Sequence, residues 1–584
     1  MIIFHILPAF RAAAYSLKQI QLKMKNLYLY TICLCLCLLT LLSSPGQAQT
    51  YDLLIRNGTV YDGLGGTPYV ADVAIQGDRI AAIGKLKKAR AREIVDAGGL
   101  AVAPGFINML SHAYTSLLRD GRSLSGIKQG VTLEVFGESS MGPLSDQMKQ
   151  DMISQQGEFK YDIPWTTLGE FLEHLEKRGV STNFASFVSA SEVRENVIGM
   201  INRAPTPDEL ERMKALVQQA MDEGAVGLTT MLIYVPATFA KTDELVELAK
   251  VAARYNSLFT AHMRSEGDRI EAAVDEMLRI AKEANIPVEI YHLKAAGKHN
   301  WHKLDPVLAR IDSANRVGLK VTANMYNYIA AATGLDAAMP PWVQEGGLQE
   351  WRRRLQDPAI RARVAEEMTR PADWENLALG AGPEGMILTS FRQDSLRKYT
   401  GKTLVEVAAL RGKSWYETAM DLVVQDDSRI GTAYFLMSEE NVKKQIRQPY
   451  MSFGSDSGSQ APEGLSLNSN PHPRAYGNVA RLLGKYVREE KVITLPEAIR
   501  RLTSLPATNL HLRDRGQLKA GYYADVVIFD PARVRDLSTF DHPHQLSEGV
   551  HHVWVNGTQV LKSGEHTGAT PGRAMRGTGR KGQR

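Results

Sequence analysis

Cysteine is nearly missing from this chain, and its placement decides what that scarcity excludes. The three cysteines, Cys33, Cys35 and Cys37, all fall in one apolar run near the N-terminus. That run, LYLYTICLCLCLLTLL, follows Lys23 and Lys25 and precedes SSPGQAQT, the pattern of a secretory signal peptide with cleavage near Ala48. Residues before Met24 read as an upstream extension, so 1–48 are set apart from the fold. A chain processed there is secreted or periplasmic and has no disulfide, no thiol nucleophile and no thiolate metal ligand. An uncleaved membrane anchor is the alternative, because the run approaches spanning length. Nucleotide-binding loops are missing too: no GxGxxG or GxxxxGK[ST] string sits at a strand–helix turn. Charge of one sign is scarce, a formal +5 over 584 residues, which gives no basis for nucleic-acid binding. The basic end, RAMRGTGRKGQR at 573–584, reads as a solvated, disordered tail.

What remains is an ordinary globular composition with a strong alternation. Strand-like runs at 101–109, 132–136, 183–188, 227–230, 258–262, 287–292, 319–324 and 450–456 have helical runs between most of them. One helix is announced by Thr206-Pro207-Asp208-Glu209, an N-cap with Pro first and Glu third. Roughly eight such repeats predict an α/β fold, a distorted (β/α)8 TIM-type barrel over 104–510. Charged helices at 340–371 interrupt it and read as an insertion over the top face. The flanks 49–103 and 511–572 are β-rich. Asn57-Gly58, Gly77-Asp78 and Asn556-Gly557 sit between alternating apolar runs and are expected to be hairpin turns. The two flanks are expected to pair into a small β-sandwich.

Residues 258–301 concentrate the chemistry. Two β-rich runs reach His262 and His292, and between them Ile270, Val274, Met277, Leu278 and Ala281 recur at helical spacing. A βαβ unit makes the strands parallel neighbours, with both histidines at one carboxyl edge. Either imidazole alone is explained as a hydrogen-bonded strand end; the pair suits a metal.

The chain resembles the amidohydrolase superfamily, and within it the D-aminoacylases (N-acyl-D-amino-acid deacylases). The resemblance rests on APGFIN at 103–108, GVTLEVFGE at 130–138, AHMRSEGD at 261–268 and YHLKAAGKHNW at 291–301. It continues through MYNY at 325–328, GSDS at 454–457, HPRAYG at 472–477 and GYYADVVIFDP at 521–531. It implies a zinc-dependent hydrolase of a small N-acyl amino acid or dipeptide, with His262 and His292 on the metal and Asp456 moving the proton. Zinc brings the pKa of bound water to about 7, while an amide nitrogen must be protonated to leave.

The sequence departs from that family in two places. Where the family supplies a bridging cysteine this chain has GESS, so Glu138 stands as the third ligand, with Ser139 the weaker alternative. Where the superfamily carries HxH, this chain reads Leu110-Ser111-His112, leaving His112 as a pocket residue or a weak second ligand. One zinc per chain is the expectation. Lys294, Arg474 and Tyr326 match the groups that hold the substrate carboxylate, for which a planar guanidinium is well shaped. Ala332 stands where the family often has Ser, and His472 reads as structural. The alternatives are a dihydroorotase- or hydantoinase-like cyclic amidase, or a binding protein that kept the barrel without catalysis.

Overall fold

Strands buried on both faces read as short continuous apolar runs, and eight of them build the barrel. They are Phe106–Ser111, Val131–Phe136, Asn183–Ser186 continued by Val188–Ser189, Gly227–Met231, Leu258–His262, Val288–Ile290, Val321–Met325 and Met451–Phe453. The computed structural model describes residues 17–31 and 50–579. The apolar run from residue 32 onward and the expected cleavage near Ala48 therefore lie outside the described residues. Residues 17–31 form an exposed helix, and among the described residues no helix is long and apolar enough to cross a membrane.

The fifth and sixth barrel strands are parallel neighbours as expected, with Phe259 opposite Val288 and Ala261 opposite Ile290. The helix between them, Ile270–Ala284, buries Ile270, Val274, Met277 and Ala281 and ends on Asn285 in the left-handed conformation. Thr206 caps its helix with Glu209 returning the bond. The barrel closes between its first and eighth strands through Asn108. Its Oδ1 accepts from Ser455 N–H at 2.7 Å, and its amide donates to Glu134 at 2.7 Å. Gly454 is needed here, since a Cβ would lie 2.6 Å from the Leu110 nitrogen.

Both chain ends meet in one sheet of nine strands, where Val526–Phe529 pairs antiparallel with Ala101–Pro104. The expected 101–109 strand is thus two, divided at Gly105: its first half serves the small domain, its second the barrel. Gly77-Asp78 and Asn556-Gly557 are hairpin turns. Asn57-Gly58 is not: it lies inside Thr50–Val60 as a bulge, with Asn57 at φ 59°. Alternation resumes past a bulge, so the local pattern imitates a turn.

Two further boundaries need correction. The insertion is larger than 340–371. It includes an antiparallel sheet of Ala330–Gly334, Met386–Ser390 and Gly431–Phe435, with an apolar core of its own. The tail is not free at 573–579 either. Phe184 N–H donates to Arg573 O, Gly577 N–H to Gly224 O, and Arg573 pairs with Asp78 at 2.7 Å. Gly577 permits the approach, because a Cβ there would meet the Ala225 carbonyl at 2.3 Å.

A buried ion pair joins barrel and small domain. Arg515 bonds Asp525 and, at 2.7 Å, Asn556, whose amide reaches Asn183 of the third barrel strand at 2.8 Å. Asp525→Ala would leave the guanidinium buried without its counter-charge. The expected cost is about 3–5 kcal/mol, read by denaturant unfolding.

Candidate active site and metal centre

The residues singled out in the sequence meet at the carboxyl ends of the barrel strands, around a cavity of about 230 Å³. His262 ends the fifth strand; His292 lies two residues beyond the sixth, Glu138 two beyond the second, and Asp456 three beyond the eighth. Three of these four have left-handed backbone: Glu138 at φ 63°, His292 at 32° and Asp456 at 49°. For such residues this costs on the order of 1–3 kcal/mol each, sustained only where the surroundings enforce it. Each N–H is accordingly held. Glu138 N–H donates to Thr229 Oγ1 at 3.1 Å, His292 N–H to Asn324 Oδ1 at 2.8 Å, and Asp456 N–H to Leu110 O at 2.9 Å. The kinks turn the side chains inward.

Three donor atoms converge. His262 Nδ1 and His292 Nε2 are 3.0 Å apart, and Glu138 Oε1 lies 3.3 Å from the first and 2.6 Å from the second. Tetrahedral zinc with bonds near 2.0–2.1 Å sets its ligands about 3.3 Å apart; the His262–Glu138 gap matches this, the other two are shorter, and the donor types are those of a divalent-metal site. Between the alternatives left by the missing cysteine, Glu138 faces the histidines, while the Ser139 hydroxyl points to Met231 Sδ at 3.7 Å. His112, Glu138 and Asp456 form a second cluster of potential ligands, with His112 Nε2 at 2.9 Å from Asp456 Oδ1 and 3.4 Å from Glu138 Oε2. Leu110 is fully buried against the eighth strand and offers nothing to a metal.

Electrostatics organise the rest. Burial opposes protonation of His112, but bonds to Asp456 and Glu138 outweigh it and push it up to about 10. Burial and Lys294 likewise work against His292, and Glu266, Asp456 and Glu138 raise it to about 9. Burial would raise Asp456; the Arg474 guanidinium at 2.9 Å and His292 hold it below the usual carboxylate range. His472 is structural, as expected: Nε2 lies 3.0 Å from Ala330 O, Nδ1 accepts from Arg474 N–H, and burial with Arg474 nearby keeps it neutral.

Lys294, Tyr326 and Arg474, the residues expected to meet a carboxylate, line the same cavity. Arg474 stacks 4.4 Å over the Tyr326 ring, Lys294 Nζ lies 5.4 Å from it, and the Tyr326 hydroxyl is buried with no partner among the described residues. Sequence reasoning places Glu266, with Arg264 and Ser265 after His262, as a pocket-lining residue without a role, and Glu266 does line the cavity. Its Oε1 accepts from Lys294 Nζ at 2.5 Å and lies 2.8 Å from His292 Nδ1, so it orients the ring that presents Nε2 to the donor cluster. The available signal was its place four residues after His262.

Residues 93–561 match the amidohydrolase family. A D-aminoacylase of Alcaligenes xylosoxydans xylosoxydans is 34% identical over 538 residues, which cover 91% of this chain and 99% of that protein. This chain belongs to the amidohydrolase family. An N-acyl-D-aspartate deacylase of the same organism is 32% identical over 92% of this chain and 96% of that one. Among solved structures, an N-acyl-D-glutamate deacylase of Bordetella bronchiseptica, complexed with zinc and a phosphonate inhibitor, is 30% identical. It covers 90% of this chain and 100% of its own, at a TM-score of 0.76. This amidohydrolase is an enzyme of the D-aminoacylase kind, with the barrel and small β domain of that group.

Proposed function

We propose that this amidohydrolase uses one zinc ion to hydrolyse the amide bond of N-acyl-D-amino acids or D-residue-containing dipeptides. The observation that carries the reading is one cavity in which Glu138, His262 and His292 converge beside Asp456 and a wall of Lys294, Tyr326 and Arg474. Glu138, His262 and His292 would hold the ion, which supplies Lewis-acid polarisation and water activation at neutral pH. Asp456 accepts the proton of the attacking water and returns it to the departing amide nitrogen. His112 on Oδ1 and Arg474 on Oδ2 keep it ionised until then. Arg474, Lys294 and the Tyr326 hydroxyl take the α-carboxylate, fixing the amide relative to Asp456. The signal-like N-terminal run supports export of the enzyme.

A panel of N-acetyl-D- and N-acetyl-L-amino acids with added zinc tests the reading. Release of free amine from D compounds is expected; release from L compounds alone, or from none, would overturn it. Lys294→Ala should lose about 2–4 kcal/mol of transition-state stabilisation in kcat/KM. Lys294 also pairs with Glu266, so the same variant is assayed on substrates whose carboxylate is converted to an amide. The loss should shrink there, whereas a purely structural lysine, or a cyclic-amide substrate, predicts equal losses.

A further inference from the structure

A second cavity, about 610 Å³, opens beside the metal cavity, and His112 lines both. We propose that it is the subsite for the acyl group, and that it selects acyl groups longer than acetyl that end in an apolar, preferably aromatic, group. The inference rests on the deacylase reading and extends it to the other half of the substrate.

Asp456 sets the direction. One carboxylate oxygen faces Arg474 and the other faces His112, each at 2.9 Å. The proton it delivers goes to the amide nitrogen. That nitrogen is flanked by the α-carbon, whose carboxylate is drawn to Arg474 and Lys294, and by the acyl carbonyl. The acyl chain therefore leaves on the opposite side, past His112 and into the larger cleft.

The lining suggests what fits. Phe159 and Tyr161 stack with centroids 5.4 Å apart and planes inclined by 26°, and Met152 lies in the same wall. Both rings are half-buried, so each keeps apolar surface toward the cleft. The charged groups there are already engaged. Arg119 donates to Ser466 Oγ at 2.7 Å, and Glu158 pairs with Arg397 at 3.2 Å while accepting from Asn468 at 2.6 Å. Alongside the polar Thr115, Ser116 and Gln155, the cleft offers the apolar contact of Phe159, Tyr161 and Met152, and an acetyl methyl is too short to reach it.

The test compares kcat/KM of the zinc-loaded enzyme for the N-phenylacetyl and N-acetyl derivatives of whichever D-amino acid serves best in the panel. The parent should favour phenylacetyl by about tenfold or more, the range that added apolar contact in a pocket supplies. Phe159→Ala should bring that ratio toward one. Gly157→Trp should do so as well, because no heavy atom lies within 4 Å of where its side chain begins and the indole can fill the cleft. The glycine variant removes no packing and keeps the test decisive if Phe159→Ala folds poorly. A parent ratio near one, or a ratio that neither variant moves, would overturn the subsite while leaving the deacylase reading intact. No hydrolysis of any D substrate would overturn that reading, and the subsite with it.

Discussion

Asp456→Asn is expected to lower kcat by about 10²–10⁴, the range general acid–base catalysis supplies, with one zinc per chain still bound. At about 1.36 kcal/mol per tenfold, that is a loss of roughly 3–5 kcal/mol confined to the chemical step. The variant tests proton transfer because Asn keeps the side chain's shape and its one acceptor oxygen can still take the Arg474 bond, giving up only the acceptor that faces His112, each at 2.9 Å in the parent. Asn cannot accept the water's proton, nor give one to the leaving amine. Since Asp456 lies outside the Glu138, His262 and His292 cluster, zinc content should match the parent. Activity within tenfold of the parent at equal zinc would show that another group moves the proton.

His292→Ala should remove the bound zinc at micromolar protein and bring activity to background, the second large effect. Partners that merely orient a metal-bound histidine are worth about 10–100-fold in affinity, so losing one of three ligands should cost more. His292 is also the hub of the cluster: its Nε2 lies 2.6 Å from Glu138 and 3.0 Å from His262, and its Nδ1 is backed by Glu266 and Lys294. The metal-free variant should unfold at nearly the temperature of the metal-free parent, which separates loss of zinc from loss of fold. His112→Ala is the contrasting variant. It belongs to the other cluster, so the tightly held zinc should remain. Comparable zinc loss in both would show that the ion sits between the two clusters rather than on the three converging donors.

The histidines were legible because parallel strands force a simple result: residues at matched ends share an edge, and the register Phe259–Val288 delivers His262 and His292 to it. Asp456, Lys294, Tyr326 and Arg474 were legible only through resemblance, since alternation cannot say which strand-end loops converge. Glu266 was legible as pocket-lining from its place after His262, but its role escaped both routes. Its position depends on Glu375, more than a hundred residues away in the insertion, which accepts from Ser265 Oγ at 2.6 Å and from Glu266 N–H at 3.0 Å. The insertion itself was under-read because Ala330–Gly334 and Gly431–Phe435 are partners separated by about a hundred residues, and short strands carry no mark of such pairing. Left-handed backbone at Glu138, His292 and Asp456 was equally hidden, because tertiary hydrogen bonds rather than residue type enforce it. Asn57-Gly58 erred the other way: the residue pair favours positive φ, and the surrounding sheet used it for a bulge.

The proposed hydrolysis depends on Glu138, His262 and His292 jointly holding one catalytic ion. It is tested most directly by stripping the protein of metal and titrating zinc back while following amine release from an N-acyl-D-amino acid. Activity should rise linearly to a break at one zinc per chain, with no break in a His262→Ala protein. Full activity in the stripped protein, or an undiminished break in that variant, would contradict it.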